Sequence, residues 1–286
     1  MSEPDRTDKE VAVIGLGIIG SRVANRLTLD GWNVRAWNRT PKSIHGMVAT
    51  PVLAVNGAAW ISLYLKDAVA VRGVMEEIAP ALAPGTVVLN HSTVDLETTQ
   101  WVHGVCRENG AGFLDAPFTG SRNAATDGRL VYYIGGDTTL ATRAKNLLDV
   151  SSTACIPCGP VGTATIIKLT TNLVSACSVQ ALAEGMAIAG NHGVEPKKFI
   201  EAIAANACGS PLAAMKLPGM ATGEFTTHFS LDNMAKDSRY ALELASAAGI
   251  ETPALSSVSR RMHELAADGL AGLDYSALAK PYLKSP

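Results

Sequence analysis

Hydrophobic and polar positions follow two different patterns along this chain. In the first part, short apolar runs rich in β-branched residues alternate with helix-compatible stretches, and the runs lie at 11–14, 33–37, 60–63, 86–89, 112–114 and 130–134. After Gly159 the strand signals end, and helical patterns follow at 164–190, 196–205, 231–248 and 255–268, separated by Pro and Gly. The first pattern predicts an α/β region with a largely parallel sheet covered on both faces. The second predicts an all-α region joined to it by a long helix.

Three glycines follow the first apolar run in the spacing G-x-G-x-x-G, at Gly15, Gly17 and Gly20. A strand that turns into a helix through such glycines lets backbone N–H groups and the positive helix end approach a pyrophosphate. The spacing therefore predicts a dinucleotide site in a Rossmann-type domain, formed by Gly15, Leu16, Gly17, Ile18, Ile19 and Gly20. A βαβ unit that binds no ligand is the alternative.

The end of the second predicted strand indicates which dinucleotide binds. A site for NAD usually has Asp or Glu there, about 20 residues after the glycines, to accept hydrogen bonds from the ribose 2′-hydroxyl. This chain has Asn38, Arg39 and Thr40. These residues include no carboxylate that would repel a 2′-phosphate, and the charged, planar guanidinium of Arg39 is suited to bind this phosphate. We therefore expect NADP(H) as cofactor. The alternative is that Arg39 is a solvated loop residue.

Composition and charge narrow the class of protein. The 286 residues carry a formal net charge of −2, which gives no electrostatic reason to expect nucleic acid or an anionic membrane as a partner. The polar N-terminus has no apolar signal segment and no run approaches the roughly 18 uninterrupted apolar residues of a membrane span, so we expect a cytoplasmic protein. The six histidines and five cysteines show no complete metal-ligand spacing, so no metal is expected.

Three segments are expected. Residues 1–10 form a disordered leader, residues 11–163 an N-terminal NADP(H)-binding domain with a doubly wound sheet, and residues 164–286 an all-α C-terminal domain. The region 166–278 is richer in Ala and apolar residues than a thin helical layer over one sheet needs. We therefore expect a homodimer or higher homo-oligomer that packs through these helices.

Lys168 and Asn172 lie four residues apart at the start of the long predicted helix, directly after a glycine turn. They therefore point from one helical face at the junction of the two predicted domains, where ligands of such proteins bind. An ammonium there could donate a proton to an oxygen that gains negative charge, while the amide holds the lysine or the substrate. A surface lysine beside a capping-type asparagine is the equally open alternative.

Several motifs resemble, in order, those of the β-hydroxyacid dehydrogenase family. They are the glycine fingerprint, the segments 91–95 and 115–121, the run from Gly162 through Lys168 to Asn172, and the late pair Lys236-Asp237. Two shorter strings, 37–40 and 119–130, look most like the glyoxylate/succinic semialdehyde reductase branch. The resemblance covers nearly the whole chain and implies an oxidoreductase that transfers a hydride between NADP(H) and a small aldehyde acid, keto acid or hydroxyacid.

The resemblance also implies roles for individual residues. Lys168 corresponds to the catalytic lysine and Asn172 to the asparagine beside it. The segment Thr119, Gly120 and Ser121, together with Ser92, is implied to contact the substrate. The cofactor is implied to contact Leu63, Tyr64, Leu65, Thr93 and Lys236. Asp237 either orients Lys236 or is an acid at the start of a helix.

This chain departs from the family pattern at three places. Thr119 stands where Ser is usual, Leu63-Tyr64-Leu65 replaces the usual Leu-Pro, and the segment 41–60 is several residues shorter. The expected activity is NADPH-dependent reduction of a semialdehyde or glyoxylate type of acid, or the reverse, with Lys168 as general acid or base. An imine reductase and a non-catalytic NADPH-binding protein are the alternatives; Lys168 counts against the first, and the retained pair Lys168 and Asn172 counts against the second.

Overall fold

The structure is a computed structural model that describes residues 9–283. Most of the predicted leader therefore lies outside the described residues, and Glu10 already belongs to the first strand. The chain divides into two compact units, one ending at Lys168 and one beginning at Leu169. This division falls inside a helix, five residues after the boundary expected from the sequence.

The first unit contains one mixed eight-stranded sheet. Its strands are β1 (Glu10–Ile14), β2 (Asn33–Trp37), β3 (Trp60–Leu63), β4 (Val87–Asn90), β5 (Gly112–Asp115), β6 (Phe118–Thr119), β7 (Leu130–Gly136) and β8 (Ser152–Gly159). The order is β2-β1-β3-β4-β5-β7-β6, and β8 pairs with β7. Neighbouring strands from β2 through β5 run parallel, whereas β7 is antiparallel to both β5 and β6. The predicted Rossmann-type α/β fold is confirmed.

Helices cover both faces of this sheet. They are α1 (Gly20–Leu29), α2 (Pro51–Val55), α3 (Ala68–Ile78), α4 (Leu96–Glu108), α5 (Arg122–Asp127) and α6 (Thr138–Asp149), with a short 3₁₀ turn at Ala79–Ala81. In β1, Val11 and Val13 belong to one hydrophobic core, whereas Ala12 and Ile14 belong to the core on the opposite face. Because side chains alternate along a strand, a strand that is apolar at every position is buried on both sides.

The second unit is helical. Its helices are α7 (Thr163–Asn191), which begins in the first unit, α8 (Pro196–Ala205), α9 (Pro211–Thr222), α10 (Leu231–Ala247) and α11 (Pro253–Leu265), followed by a wide turn at Ala266–Leu270 and a 3₁₀ segment at Tyr275–Tyr282. Inside this unit the ammonium of Lys216 donates to the Asp274 carboxylate at 2.7 Å, and both side chains are almost fully buried. Asp274 also accepts backbone N–H groups from His228, Phe229 and Ser276, so the buried charge is fully hydrogen-bonded.

Strand β8 and helix α9 are among the elements that were not predicted from the sequence, and proline explains both omissions. Strand β8 contains Pro157 and pairs only with β7, as expected for an edge strand, where proline is tolerated. Helix α9 contains Pro218, and proline inside a helical pattern normally indicates a break. Its start is nevertheless recognisable, because Ser210 caps the N-terminus and Pro211 follows directly. Cys208 is exposed in the loop before α9.

Helix α7 is long and mostly apolar. Within the described residues it is the one helix whose length and composition would allow it to cross a membrane, with a mean hydropathy of 1.4 over its most apolar window. Core helices of soluble proteins meet the same criterion. Only 28% of that window is buried, and Val174 and Ile188 are each more than 60% exposed. A large apolar face of α7 is therefore left uncovered by the part of the chain that the structure describes.

Candidate active site

The ends of five strands meet at one edge of the sheet. The last residues of β2, β1, β3, β4 and β5 are register partners across the sheet, in the order Trp37, Ile14, Leu63, Asn90 and Asp115. Since these strands are parallel, the loops that follow them gather at the same carboxyl edge, which is where ligands bind in open α/β sheets. The sequence-predicted residues 15–20, 38–40, 63–65, 92–93 and 119–121 therefore lie on this edge.

Glycine is present at the three fingerprint positions for different structural reasons. Gly15 has φ of +97°, and a Cβ there would lie 2.3 Å from the carbonyl oxygen of Tyr64. A Cβ on Gly20 would lie 2.0 Å from the carbonyl oxygen of Gly15. A Cβ on Gly17, in contrast, would meet no protein atom within 4 Å. Gly15 and Gly20 are thus required by the protein's own packing, whereas Gly17 leaves an open surface that a pyrophosphate can approach.

Two side chains support the glycine loop from the segment after β2. The amide oxygen of Asn38 accepts the backbone N–H of Leu16 at 2.8 Å, while its amide nitrogen donates to the carbonyl of Thr40 at 2.7 Å. The ammonium of Lys42 donates to the carbonyl of Leu16. Arg39 is exposed beside them. Lys42 was missed from the sequence because nothing local signals that it folds back across 26 residues onto the glycine loop.

The turn after β3 is held by Ser92. Its hydroxyl accepts the backbone N–H of Leu65 at 2.8 Å and donates to the carbonyl of Leu63 at 3.2 Å, and the side chain is only 5% exposed. The hydroxyl expected to contact substrate is therefore used to connect the loops after β3 and β4. Thr93, the next residue, is half-buried at the same edge.

An aromatic cluster lies beneath this edge. Tyr64 stacks on His91 with ring centroids 4.5 Å apart and shares a 2.8 Å hydrogen bond with the hydroxyl of Tyr132. The imidazole of His91 contacts the carbonyl of Ala116 and the hydroxyl of Ser62. Burial lowers the pKa of His91 to about 4, so this histidine is neutral at physiological pH.

The segment after β5 carries the expected substrate residues. Thr119 and Gly120 are exposed and Ser121 is half-exposed. Gly120 has φ of +128°, and a Cβ there would lie 2.8 Å from Leu130, so the backbone requires glycine. Ser121 occupies the N-cap position of α5, yet its hydroxyl makes no capping hydrogen bond. The loop thus presents backbone and hydroxyl groups outward, as recognition of a carboxylate requires.

Lys168 lies beside this segment. Its ammonium is 6.0 Å from the ring centroid of Phe118, the residue directly before Thr119, and the side chain is half-buried. Phe118 packs in turn against Tyr64 and Tyr132. The structure therefore brings the predicted proton donor to the same edge as the glycine loop and the predicted substrate segment.

The helical unit contains its own polar cluster. Asp237 is 1% exposed and accepts from the amide of Asn172 at 2.7 Å and from the ammonium of Lys236 at 2.6 Å. Lys236 also lies 4.9 Å above the ring of Tyr240. Since α10 begins at Leu231, Asp237 is in the second turn of the helix. The interpretation of Asp237 as a helix-start acid is therefore wrong, and the carboxylate instead holds Asn172 and Lys236 together.

The residues at the sheet edge fit a dinucleotide. The open surface at Gly17 accommodates the pyrophosphate, and Arg39 and Lys42 supply positive charge near the loop. The arrangement can bind a phosphorylated cofactor, present hydroxyl and backbone donors to an anion, and supply a proton from an ammonium group. These are the elements of a carbonyl reductase site.

Comparisons with known proteins agree with this geometry. Residues 10–159 match the NAD-binding domain of 6-phosphogluconate dehydrogenase, and residues 162–282 match the NAD-binding domain of NADP-dependent 3-hydroxyisobutyrate dehydrogenase. Glyoxylate/succinic semialdehyde reductase 2 of Arabidopsis thaliana, a chloroplastic protein, is 28% identical over 279 residues, which cover 94% of this chain and 78% of the relative.

Two further relatives come from bacteria. The NAD-dependent L-serine dehydrogenase of Pseudomonas aeruginosa is 27% identical and covers 95% of this chain and 97% of its own. The solved structure of Mycobacterium tuberculosis 3-hydroxyisobutyrate dehydrogenase with L-serine has a TM-score of 0.88 at 26% identity, covering 96% of this chain and 99% of that one.

The fold, the glycine loop and the matched domains define an NAD(P)-dependent oxidoreductase that acts on CH–OH groups. More specifically, the chain belongs to the β-hydroxyacid dehydrogenase family. Its relatives include both reductases and an NAD-dependent dehydrogenase. Family membership thus establishes NAD(P) as the cofactor class without deciding between its two members.

Proposed function

We propose that this protein is an NADPH-dependent reductase of a small aldehyde or keto acid, of the semialdehyde or glyoxylate type, with Lys168 as the general acid. In the reverse direction the neutral amine of Lys168 accepts the proton of the hydroxyacid. The observation that carries the proposal is the 6.0 Å separation between the Lys168 ammonium and the ring of Phe118, directly before the exposed segment Thr119–Ser121.

The preference for NADPH is supported by charge near the glycine loop. Arg39 is exposed directly after Asn38, which itself accepts a loop N–H, and the Lys42 ammonium reaches the carbonyl of Leu16. Two cations and no carboxylate among residues 38–42 favour a 2′-phosphate over a 2′-hydroxyl. Arg39 suits bidentate contact with the phosphate, and Lys42 acts as a point charge.

Recognition of an acid substrate is supported by the segment after β5. The backbone at Gly120 and the hydroxyls of Thr119 and Ser121 are accessible, and the Ser121 hydroxyl makes no capping bond. A carboxylate accepts several convergent donors, so a small loop of this kind can orient it. With the carboxylate held there, we expect a carbonyl a few bonds away to face Lys168, whose ammonium lies near Phe118.

The chemical step needs a hydride and a proton. Held at the Gly15–Gly20 loop, a reduced nicotinamide cofactor would supply a hydride for the carbonyl carbon, and the π electrons of the carbonyl would then move onto its oxygen. The Lys168 ammonium gives that oxygen a proton and becomes a neutral amine, which regains a proton from solvent. The half-buried position of Lys168 strengthens its attraction for the developing alkoxide, because electrostatic interactions grow as water is excluded.

The helical unit supplies residues that we expect to assist. Asn172 follows Lys168 by one helical turn of α7, and its amide is held by buried Asp237, which also fixes the ammonium of Lys236. These contacts, all within the helical unit, support Asp237 as the residue that orients Asn172 and Lys236, while the roles of Asn172 as positioning partner of Lys168 and of Lys236 as a cofactor contact are proposals from the family resemblance.

Replacement of Lys168 tests the mechanism. Lys168→Ala should lower kcat by about 100-fold or more, as loss of a positioned acid typically does, while NADPH binding measured by fluorescence titration stays within about twofold. Lys168→Arg should not restore turnover, because arginine does not release its proton at neutral pH. Lys145→Ala, which removes an exposed lysine paired with Asp149, is the matched control.

The assay uses NADPH oxidation with glyoxylate, succinic semialdehyde, methylmalonate semialdehyde, tartronate semialdehyde and a cyclic imine. Near-normal kcat of Lys168→Ala with the best aldehyde would refute the proton-donor role. Turnover of the imine alone would support imine reductase activity, and tight NADPH binding with no turnover would support a non-catalytic binding protein.

The partner and location expected from the sequence also remain proposals. We propose a homodimer or higher homo-oligomer packed through the helical unit, supported by the exposed apolar side chains of α7. Light scattering at micromolar concentration should show no stable monomer. A cytoplasmic location, with no nucleic acid or membrane partner, stays a prediction from charge and composition.

A further inference from the structure

Asp115 is the most deeply buried acid at the site edge, and it bonds to the helix that carries Lys168. It ends β5, is 0% exposed, and its Oδ2 accepts the backbone N–H groups of Thr165 at 2.8 Å and Gly162 at 3.2 Å. Its Oδ1 accepts the hydroxyl of Thr165 at 2.8 Å. The acid therefore caps the first turn of α7 from a distance of about 50 residues along the chain.

This contact links the two segments that carry the groups expected to meet in the reaction. Thr165 precedes Lys168 by three residues on α7, and Asp115 precedes Phe118 by three residues on the way to the Thr119–Ser121 segment. The distance between the Lys168 ammonium and the substrate segment thus depends on how firmly Asp115 holds the first turn of α7. A displacement of about 1 Å at such a site commonly costs a large factor in rate.

We propose that Asp115 is a positioning residue whose ionised carboxylate anchors the first turn of α7 and thereby Lys168, and whose protonation lowers the turnover of the reductase at acidic pH. This inference rests on the proposed role of Lys168. It concerns regulation of that site.

The surroundings of Asp115 explain why it titrates in a useful range. Burial raises the pKa of its carboxyl to about 6, although the hydrogen bonds from Thr165 and Gly162 act in the opposite direction. Its sheet neighbours Asn90 and Gly135 are uncharged. Burial, and to a smaller extent the charge of Asp115, raises the thiol pKa of Cys158, and His91 bonds the carbonyl of the adjacent Ala116 while burial lowers its own pKa to about 4.

The hydroxyl of Thr165 also determines what protonation does. It lies 2.8 Å from the hydroxyl of Thr99, which in turn donates to the carbonyl of Asp95. If Oδ1 of Asp115 were protonated, its O–H would donate a hydrogen bond to the hydroxyl oxygen of Thr165. The hydroxyl hydrogen of Thr165 would then turn toward Thr99. The neutral acid thus stays bonded, but Oδ2 becomes a neutral carbonyl oxygen. Its bonds to the N–H groups of Thr165 in α7 and of Gly162 directly before α7 lose their charge assistance and weaken by roughly half.

The pH profile of carbonyl reduction separates Asp115 from Lys168. A general acid must be protonated, so Lys168 predicts loss of kcat only on the alkaline side. For Asp115 we expect an acidic limb with an apparent pKa near 6 in kcat at saturating NADPH and substrate. The phosphate of the bound cofactor titrates in a similar range, and variants of the protein distinguish it from Asp115.

Asp115→Asn has the shape of the protonated acid and no charge. It should lower kcat at pH 8 about tenfold and abolish the acidic limb, while the melting temperature at pH 8 is not lowered, because an ionised carboxylate no longer has to be buried. A purely structural anchor would instead lose stability together with activity. Asp137→Asn, at the N-cap of α6 in the same unit, is the matched control and should keep the wild-type profile.

Thr165→Val gives a second, independent test. It removes one hydrogen bond to the charged form, so the acidic limb should shift to higher pH. The ¹³C chemical shift of the Asp115 carboxyl, followed in the ligand-free enzyme, should titrate near pH 6 and requires no activity.

The inference is overturned if the acidic limb persists in Asp115→Asn or does not move in Thr165→Val. It is also overturned if the ¹³C chemical shift shows that the Asp115 carboxyl titrates near pH 4. If the wild-type enzyme reduces none of the aldehydes at pH 8, the proposed function itself fails, and the catalytic part of this inference fails with it. An active enzyme whose profile ignores both variants refutes only the inference.

Discussion

Gly17→Ala should separate cofactor binding from folding more cleanly than any other single change in the glycine loop. A methyl group at this position meets no protein atom within 4 Å, and Gly17 does not have a positive φ. The folded protein therefore accepts the side chain. The same methyl group occupies the surface that we expect the pyrophosphate to approach, so the cost of the substitution falls on binding.

The magnitude follows from the structure. Where the backbone is compatible, Gly→Ala changes the free energy of unfolding by about +0.4 to +1 kcal/mol, because the unfolded chain loses conformational freedom. Gly17→Ala should therefore be as stable as wild type or slightly more so. A methyl group forced between the loop and a phosphate removes close N–H contacts, and we expect NADPH binding to weaken by about tenfold or more, equivalent to about 1.4 kcal/mol.

Gly15→Ala is the contrasting variant. Its Cβ would lie 2.3 Å from the carbonyl oxygen of Tyr64 at a φ of +97°. The left-handed backbone costs about 1–2 kcal/mol for a residue with a side chain, and overpacking adds about 1–3 kcal/mol. Gly15→Ala should thus lose about 2–5 kcal/mol of unfolding free energy, even without cofactor.

Urea unfolding of the cofactor-free protein and fluorescence titration with NADPH measure the two effects separately. The expected result is normal stability with weak binding for Gly17→Ala, and low stability for Gly15→Ala. Wild-type NADPH affinity in a stable Gly17→Ala protein would show that the cofactor does not approach the loop at this glycine. A Gly17→Ala protein as unstable as Gly15→Ala would contradict the open surface itself.

Two further predictions concern the cofactor and the helical unit. Arg39→Ala should raise the Kd for NADPH at least tenfold and that for NADH less than twofold, since only NADPH carries the 2′-phosphate. Arg107→Ala, which removes another exposed arginine, is the control. Equal losses of affinity for both cofactors in titrations would argue against the assignment. Lys216→Met leaves Asp274 buried without its 2.7 Å partner and should cost about 3–5 kcal/mol in urea unfolding at pH 7, a loss that Asp274→Asn added to the same chain should partly recover. Although burial alone raises the pKa of Asp274, the ion pair and backbone donors lower it below its ordinary value. Ionised Asp274 therefore contributes to the free energy of unfolding above the ordinary carboxyl pKa, and this contribution is lost as the pH falls through the lower pKa of the folded state. A free energy of unfolding of the wild type that stays constant below pH 4 would contradict this.

The sequence by itself determined the features that depend on near neighbours. The bounds of β2, β3 and α8 follow from local apolar periodicity and from Pro196 at a helix start. The glycine spacing specified a strand-turn-helix loop, because only glycine fits where Gly15 and Gly20 touch neighbouring backbone. The sequence also predicted that Lys168 lies on a helix that follows a glycine turn, because the helical pattern and the glycines are local features.

Tertiary structure decided which side chains act on one another. Lys42 reaches the glycine loop across 26 residues, Asp115 caps α7 across 50, and Asp237 holds Asn172 across 65. No local pattern encodes such pairs, because they depend on strand order, register and the packing of helices on the sheet. The same reason explains why Ser92, expected to contact substrate, has its hydroxyl bonded to the neighbouring loop. Periodicity and backbone sterics act over a few residues and are visible in a sequence, whereas the partner of a buried polar group is selected by the whole fold.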